Sequence, residues 1–252
     1  MAPYRIDIPS APPDALDTLI QLGALDVDRV DGALAAIIPD WVTPEAVSAA
    51  LGVADVSVSP AIARDNGSVW LVNPRPVRIG NFELQLTDSR AFGTGHHPTT
   101  ALCIQALEEA LSITIPDAVL DVGTGSGVLA LAALIMGVPR AVGLDIDADA
   151  LKIAAENARV NHLSDRLTLL RGRPGVVSGV WELVIANILA APLIDMAPEL
   201  VQRVARRGHL ILSGIPSSLE AEVRRAYEHL GMRYIRSNTR GGWTALVFQA
   251  SW

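Results

Sequence analysis

Val119 to Val128, VLDVGTGSGV, runs an apolar strand straight into Gly123, Gly125 and Gly127 and then into a helix-forming stretch. Glycines let a backbone turn tightly and let a ligand lie against it. A strand, a glycine turn and a helix N-terminus form the usual nucleotide-cofactor entrance of an open α/β sheet. Val128 stands where the dinucleotide pattern G-x-G-x-x-G needs its third glycine, so a pyrophosphate ligand fits poorly. Asp145 ends the next apolar run, VGLDID. A carboxylate at that strand end can accept hydrogen bonds from both ribose hydroxyls of an adenosine cofactor. The competing role, capping the helix that begins near Ala148, is better served by Asp147. Asn187 closes the run ELVIAN as a polar residue at a strand end, a candidate site group whose bland alternative is a cap for a helix over 190–204. His96 and His97 are adjacent, and without further ligands nearby they predict loop or cap residues rather than a metal site.

The elements that must hold these residues follow from the pattern. Apolar runs at AVLDVG, AVGLDI, RLTLL, ELVIAN and HLILSG each precede a helix-length segment, the signature of a parallel sheet covered on both faces. MRYIRSN and WTALVFQ, joined through Thr239 to Gly242, form a hairpin signal that ends the sheet on an antiparallel strand. The apolar stretch Val128 to Val138 is about half the roughly 20 residues needed to span a bilayer and reads as a buried helix. Upstream, YRIDI, a helix from Pro12 to Leu22, LDVDRV and ALAAIIP across the turn pair Asp31-Gly32, a helix after Thr43-Pro44 and the strand VADVSVSP alternate as β-α-β-β-α-β. That order predicts a small ferredoxin-like domain. Residues 61–90 contain SVWLV and FELQL with NPRPVRIGN between them, and read as linker and entry strands.

A third segment, AFGTGHHPTT from Ala91 to Thr100, resembles the run that precedes the cofactor strand in the PrmA-type methyltransferases of large-subunit ribosomal protein L11. The resemblance continues through VLDVGTGSGVLALAA, GLDIDADAL, ELVIANILAAPL, GHLILSGI and Trp243, covering nearly all of residues 90–252. It implies a seven-stranded Rossmann-like class I methyltransferase sheet with an antiparallel last strand, plus the small N-terminal α+β domain. The implied division is a substrate-recognition domain at 1–60, linker and entry strands at 61–90, and an S-adenosyl-L-methionine-binding catalytic domain at 91–252. It also implies cofactor contacts at Thr100, Gly123, Asp145 and Asn187, with Phe92, Gly93, Thr94, Gly95 and His96 in a loop near the methionine end. With Asp121, Gly125, Gly127 and Ile146 of the two strand-end motifs these complete the candidate cofactor set, and Asn187 and His96 are the candidate catalytic residues. The expected activity is N-methylation of lysine or N-terminal amino groups of free protein L11, by a cytoplasmic monomer, with the Asn187 side-chain oxygen orienting the amine; the alternative is the same chemistry on another protein lysine or a small amine. Only LQLTDSR separates the Phe82 strand from AFGTG, where the family carries a longer segment ending in proline-glycine.

Composition narrows the alternatives. Half of the 252 residues are apolar and 19% are charged, a globular α/β balance. A net charge of −7 argues against a broad nucleic-acid face, although Arg203, Arg206 and Arg207 form a local basic run. Cys103 is the only cysteine, so neither an internal disulfide nor a zinc cluster is expected, and a reducing cytoplasm fits. The N-terminus has no basic and apolar signal pattern, and no membrane partner is expected. A nicotinamide oxidoreductase conflicts with the glycine spacing, and the intact motifs argue against a non-catalytic scaffold.

Overall fold

The computed structural model describes residues 4–24, 26–30, 33–54, 56–60, 76–80, 82–87 and 97–252. The chain divides into two compact units, residues 1–74 with 88–90 and residues 75–87 with 91–252. The first unit contains β1 (Tyr4–Ile8), α1 (Ala15–Gln21), β2 (Asp26–Val30), β3 (Ala33–Ile38), α2 (Pro44–Leu51) and β4 (Ser57–Pro60). Its strands lie in the order β2-β3-β1-β4, with antiparallel pairing throughout. This is the ferredoxin-like arrangement expected from the element order. Alternation builds its core: Ile6, Ile8, Leu34, Ala36 and Ile38 face Leu19 of α1 and Val47 of α2. The second helix opens as its cap signal predicts, with the Thr43 hydroxyl accepting from Ala46 N at 3.2 Å and Pro44 in the first turn. Helix α1 is shorter than the expected 12–22, and the turn pair Asp31-Gly32 lies outside the described residues.

The second unit begins with a hairpin of β5 (Val77–Ile79) and β6 (Phe82–Leu84), followed by α3 (Pro98–Ile113). Strand β5 lies inside the stretch read as connecting, while SVWLV lies outside the described residues. The elements β7 (Ala118–Val122), α4 (Val128–Ile135), β8 (Arg140–Asp145), α5 (Ala148–Val160), β9 (Leu167–Arg171) and β10 (Trp181–Asn187) follow. After these come α6 (Ala190–Asp195), α7 (Ala197–Val201), β11 (Val204–Pro216), α8 (Glu220–Glu228), β12 (Met232–Arg240) and β13 (Trp243–Ala250). The seven-stranded sheet runs β12-β13-β11-β10-β7-β8-β9. Strand β13 is antiparallel to both of its neighbours, and the strands from β11 to β9 are mutually parallel.

Both faces of this sheet are covered, which explains the unbroken apolar runs. Val119, Ile185 and Ile211 pack with α3 and α4 on one side, and Leu120, Val184 and Leu210 pack with α6, α7 and α8 on the other. Helix α4 is buried from Val128 to Leu134, so it is apolar all round because it is a core helix. No described helix is long and apolar enough to cross a membrane. Two expectations are corrected. The segment after β9 holds a 3₁₀ turn, Pro174–Val176, in place of a full helix. The helix expected over 190–204 is two short helices parted at Met196, with Pro198 in the first turn of the second, and Val204 already belongs to β11.

Candidate cofactor and acceptor site

The glycine loop leaves β7 and is tied to β8 by backbone bonds. Gly123 N and Thr124 N both donate to the Leu144 carbonyl, each at 2.8 Å. Gly125 N donates to Asp145 Oδ2 at 2.9 Å, and Asp147 N donates to Asp145 Oδ1 at 3.0 Å. Gly123, Gly125 and Gly127 have φ of 71°, 53° and 81°, a left-handed run that side chains resist. Space excludes them too, since a Cβ at Gly123 would lie 2.3 Å from Ile188 Cγ2 and one at Gly127 would lie 3.1 Å from Ala154 Cβ. Asp121, beneath the loop and fully buried, accepts from Thr124 Oγ1 at 2.7 Å and from Ala130 N at 3.2 Å. Burial pushes its carboxyl up to about 6; the Thr124 and Ala130 hydrogen bonds oppose the rise, and the Asp145 charge adds to it. Asn157 of α5 binds the loop from outside: its Nδ2 donates to the Ser126 carbonyl at 2.8 Å, and its Oδ1 accepts from Thr87 N at 2.7 Å.

At the C-terminal end of β10 the pattern reverses. Asn187 is 8% exposed, and its Oδ1 has no hydrogen-bond partner among the described residues. The same holds for Thr100 Oγ1 in the first turn of α3 and for Trp243 Nε1 at the start of β13. Several contacts bring these elements together. Ser213, the register partner of Asn187 on β11, donates its Oγ hydrogen to the Thr244 carbonyl at 3.2 Å, beside Trp243. His97 caps α3, with Nδ1 2.8 Å from Thr99 Oγ1, and its ring meets the Trp243 ring edge-on at 5.0 Å. Burial depresses the His97 pKa to about 4, so the ring is neutral near pH 7. Leaving a buried polar atom unpaired costs about 1–3 kcal/mol, and such atoms mark places where another molecule supplies the partner.

An adenosine-type cofactor fits this geometry. Asp145 stands fixed at the strand end beside the left-handed glycine loop, and Ile146 next to it is 68% exposed. Among the described residues no three His, Cys, Asp or Glu side chains group to hold a metal ion.

The profile of the family described as "Ribosomal protein L11 methyltransferase (PrmA)" matches residues 70–251. The chain belongs to this family. It is 36% identical over 212 residues to a ribosomal protein L11 methyltransferase of Pelobacter propionicus, covering 76% of this chain and 69% of the relative. It is 42% identical over 170 residues to the one of Geobacter sulfurreducens, covering 68% and 55% respectively. Against the crystal structure of a ribosomal protein L11 methylase from Lactobacillus delbrueckii subsp. bulgaricus, the TM-score is 0.63 at 31% identity, over 69% of this chain and 88% of that one. The seven-stranded sheet with its reversed last strand is therefore a methyltransferase sheet, and the chain is a methyltransferase.

Of the candidate residues, Asp121 lies in β7, Gly123, Gly125 and Gly127 in the loop after it, Asp145 at the end of β8 with Ile146 just beyond, and Thr100 and Asn187 on α3 and β10. Phe92, Gly93, Thr94, Gly95 and His96 lie outside the described residues. Asp147 caps α5 through Asp149 N at 2.9 Å, which frees Asp145 from that duty. Asn187 is not the helix cap, because Leu189 occupies the N-cap position of α6. The candidate set leaves out His97, Trp243 and Asn157. Trp243 carried a signal, standing just after the Gly241-Gly242 turn of the terminal hairpin. The ring contact with His97 and the reach of Asn157 to Thr87 carried none in the sequence.

Proposed function

We propose that this chain transfers methyl groups from S-adenosyl-L-methionine to lysine or N-terminal amino groups of ribosomal protein L11. The observation that carries the proposal is the buried, unpartnered Asn187 Oδ1 at the end of β10, the strand paired with the β7 strand that leads into the glycine loop, in a chain of this family. Asp145 accepts from the ribose hydroxyls, Ile146 offers apolar surface to the adenine, and the backbone of Gly123 to Gly127 lies along the cofactor. Thr100 serves its methionine end. When bound, the cofactor supplies a methyl already activated on a sulfonium.

Asn187 Oδ1 accepts an N–H from the amine and so aims its lone pair, and positioning of this kind contributes roughly 7–11 kcal/mol to the barrier. The amine must arrive neutral. For a lysine of pKa near 10.4 that costs about 4 kcal/mol near pH 7, which an apolar setting reduces. Among the described residues no paired carboxylate or triad stands at the site, and His97 is neutral and buried; in this reading the proton leaves to solvent before attack. The ferredoxin-like unit recognises the protein substrate, and the enzyme acts as a cytoplasmic monomer.

The deciding experiment incubates purified protein with labelled cofactor and separated large-subunit ribosomal proteins, and locates the label by mass spectrometry. Label on L11 supports the reading. Cofactor binding with no label on any ribosomal protein overturns the substrate and keeps the cofactor.

A further inference from the structure

Ile188, immediately after Asn187, sits between two glycines of neighbouring strand ends. A Cβ at Gly123, beyond β7, would lie 2.3 Å from its Cγ2. Gly214 in β11 has φ of 81°, and a Cβ there would lie 2.3 Å from Ile188 O and 3.0 Å from Ile188 N. Between these contacts, Ile188 N donates to the Ser213 carbonyl at 3.1 Å, and the side chain is half-buried against the layer beneath α6 and α8. The Ile188 side chain thus rests on the glycine loop while its backbone rests on β11. Both seats exist only because the facing residue has no side chain.

We propose that Ile188 is a positioning residue for methyl transfer, its γ2 methyl fixing the Asn187 amide relative to the glycine loop so that acceptor and donor share one frame. The inference rests on the reading of Asn187 as the acceptor-facing group. A β-branched residue suits this task because two heavy atoms on Cβ confine χ1 and hold one methyl in a set place. Leucine has the volume of isoleucine but only one heavy atom on Cβ, so nothing occupies the position of Cγ2. Displacing the reacting groups by about 1 Å costs on the order of 100-fold in rate.

The test measures kcat, KM for L11, affinity for S-adenosylhomocysteine and Tm in the full chain with Ile188→Val, Ile188→Leu and Gly214→Ala. Ile188→Val keeps Cγ2 and should hold kcat within about threefold of the unaltered protein. Ile188→Leu should lower kcat about tenfold or more with KM, cofactor affinity and Tm near those of the unaltered protein, a signature of lost alignment. Gly214→Ala, whose Cβ would strike the Ile188 backbone from the opposite side at a left-handed φ, should lower kcat and Tm together and serves as the destabilised control against which Ile188→Leu is read. Unchanged kcat in Ile188→Leu overturns the inference, as does equal loss in Ile188→Val or loss that only tracks Tm. Absence of transfer by the unaltered protein, with cofactor bound, instead removes the reading of Asn187 on which the inference stands.

Discussion

The two halves of the large sheet differ in how far their buried polar groups are paired: around the glycine loop most are tied to the backbone, and Asp121 Oδ1 is the side-chain atom there that lacks a partner among the described residues. At the ends of β7 and β8, Asp145 accepts two backbone N–H bonds, Leu144 O accepts two more, and one Asp121 oxygen accepts from Thr124 and Ala130. At the ends of β10 and β13 and the start of α3, Asn187 Oδ1, Trp243 Nε1 and Thr100 Oγ1 have no partner among the described residues. In the proposed reading the first half, held largely by its own backbone, grips the cofactor, and the second, with more of its hydrogen-bonding capacity open, meets the acceptor.

The sharpest break of that contrast is Asn187→Leu. It removes an unpaired buried carbonyl while keeping the branched heavy-atom shape, so stability should hold or rise by about 1 kcal/mol, while kcat falls by roughly 100- to 1000-fold. Thermal melting and single-turnover transfer check the pair, and a large loss of Tm would show that Asn187 is structural after all. On the other half, Asp145→Ala strips the acceptor from Gly125 N and Asp147 N as well as from the ribose. Calorimetry with S-adenosylhomocysteine should show an affinity loss of about 100-fold, equivalent to roughly 3 kcal/mol, and unchanged affinity would dissolve the contrast.

Two pH effects sharpen it further. The Asp121 carboxyl is raised from 3.8 to about 6 by burial. A raised acid holds its proton more tightly when folded, so its stabilising contribution is complete below pH 4 and is lost as pH climbs through 6. Relative to Asp121→Asn, the unaltered protein should lose up to about 3 kcal/mol of unfolding free energy between pH 4 and pH 7, at roughly 1.4 kcal/mol per pH unit. Urea titrations at the two ends of that range read the difference, and parallel curves would refute it. The smallest effect concerns His97, depressed from 6.5 to about 4 by burial. Because the folded ring resists protonation, its contribution persists above pH 6.5 and fades as pH falls towards 4. The profile of kcat/KM between pH 6 and 9 should therefore follow the substrate amine alone, and an added inflection abolished by His97→Gln would assign the ring a proton-transfer role.

The glycine loop, the acidic strand end and the reversed last strand were legible because each is a local pattern: short unbroken apolar runs, glycines at a fixed spacing, a Gly-Gly hairpin turn. The broken helix at Met196 was less so, since Pro198 fits the first turn of a helix as readily as it interrupts one. Asn187 was read as a residue at a strand end, which is local. That its oxygen would remain unpaired, with Leu189 capping the helix, depended on where β10 lies beside β11.

Sequence alone determined the strand-glycine-helix cofactor entrance, the βαββαβ unit and the candidate residues at strand ends, since residues a few positions apart dictate backbone conformation and facing. Tertiary structure alone decided that His97 meets Trp243, that Asn157 joins Ser126 to Thr87, and that Ile188 is seated between Gly123 and Gly214. Those contacts join segments far apart in the chain. Strand register and helix packing bring them within ångströms, and no short-range spacing encodes either.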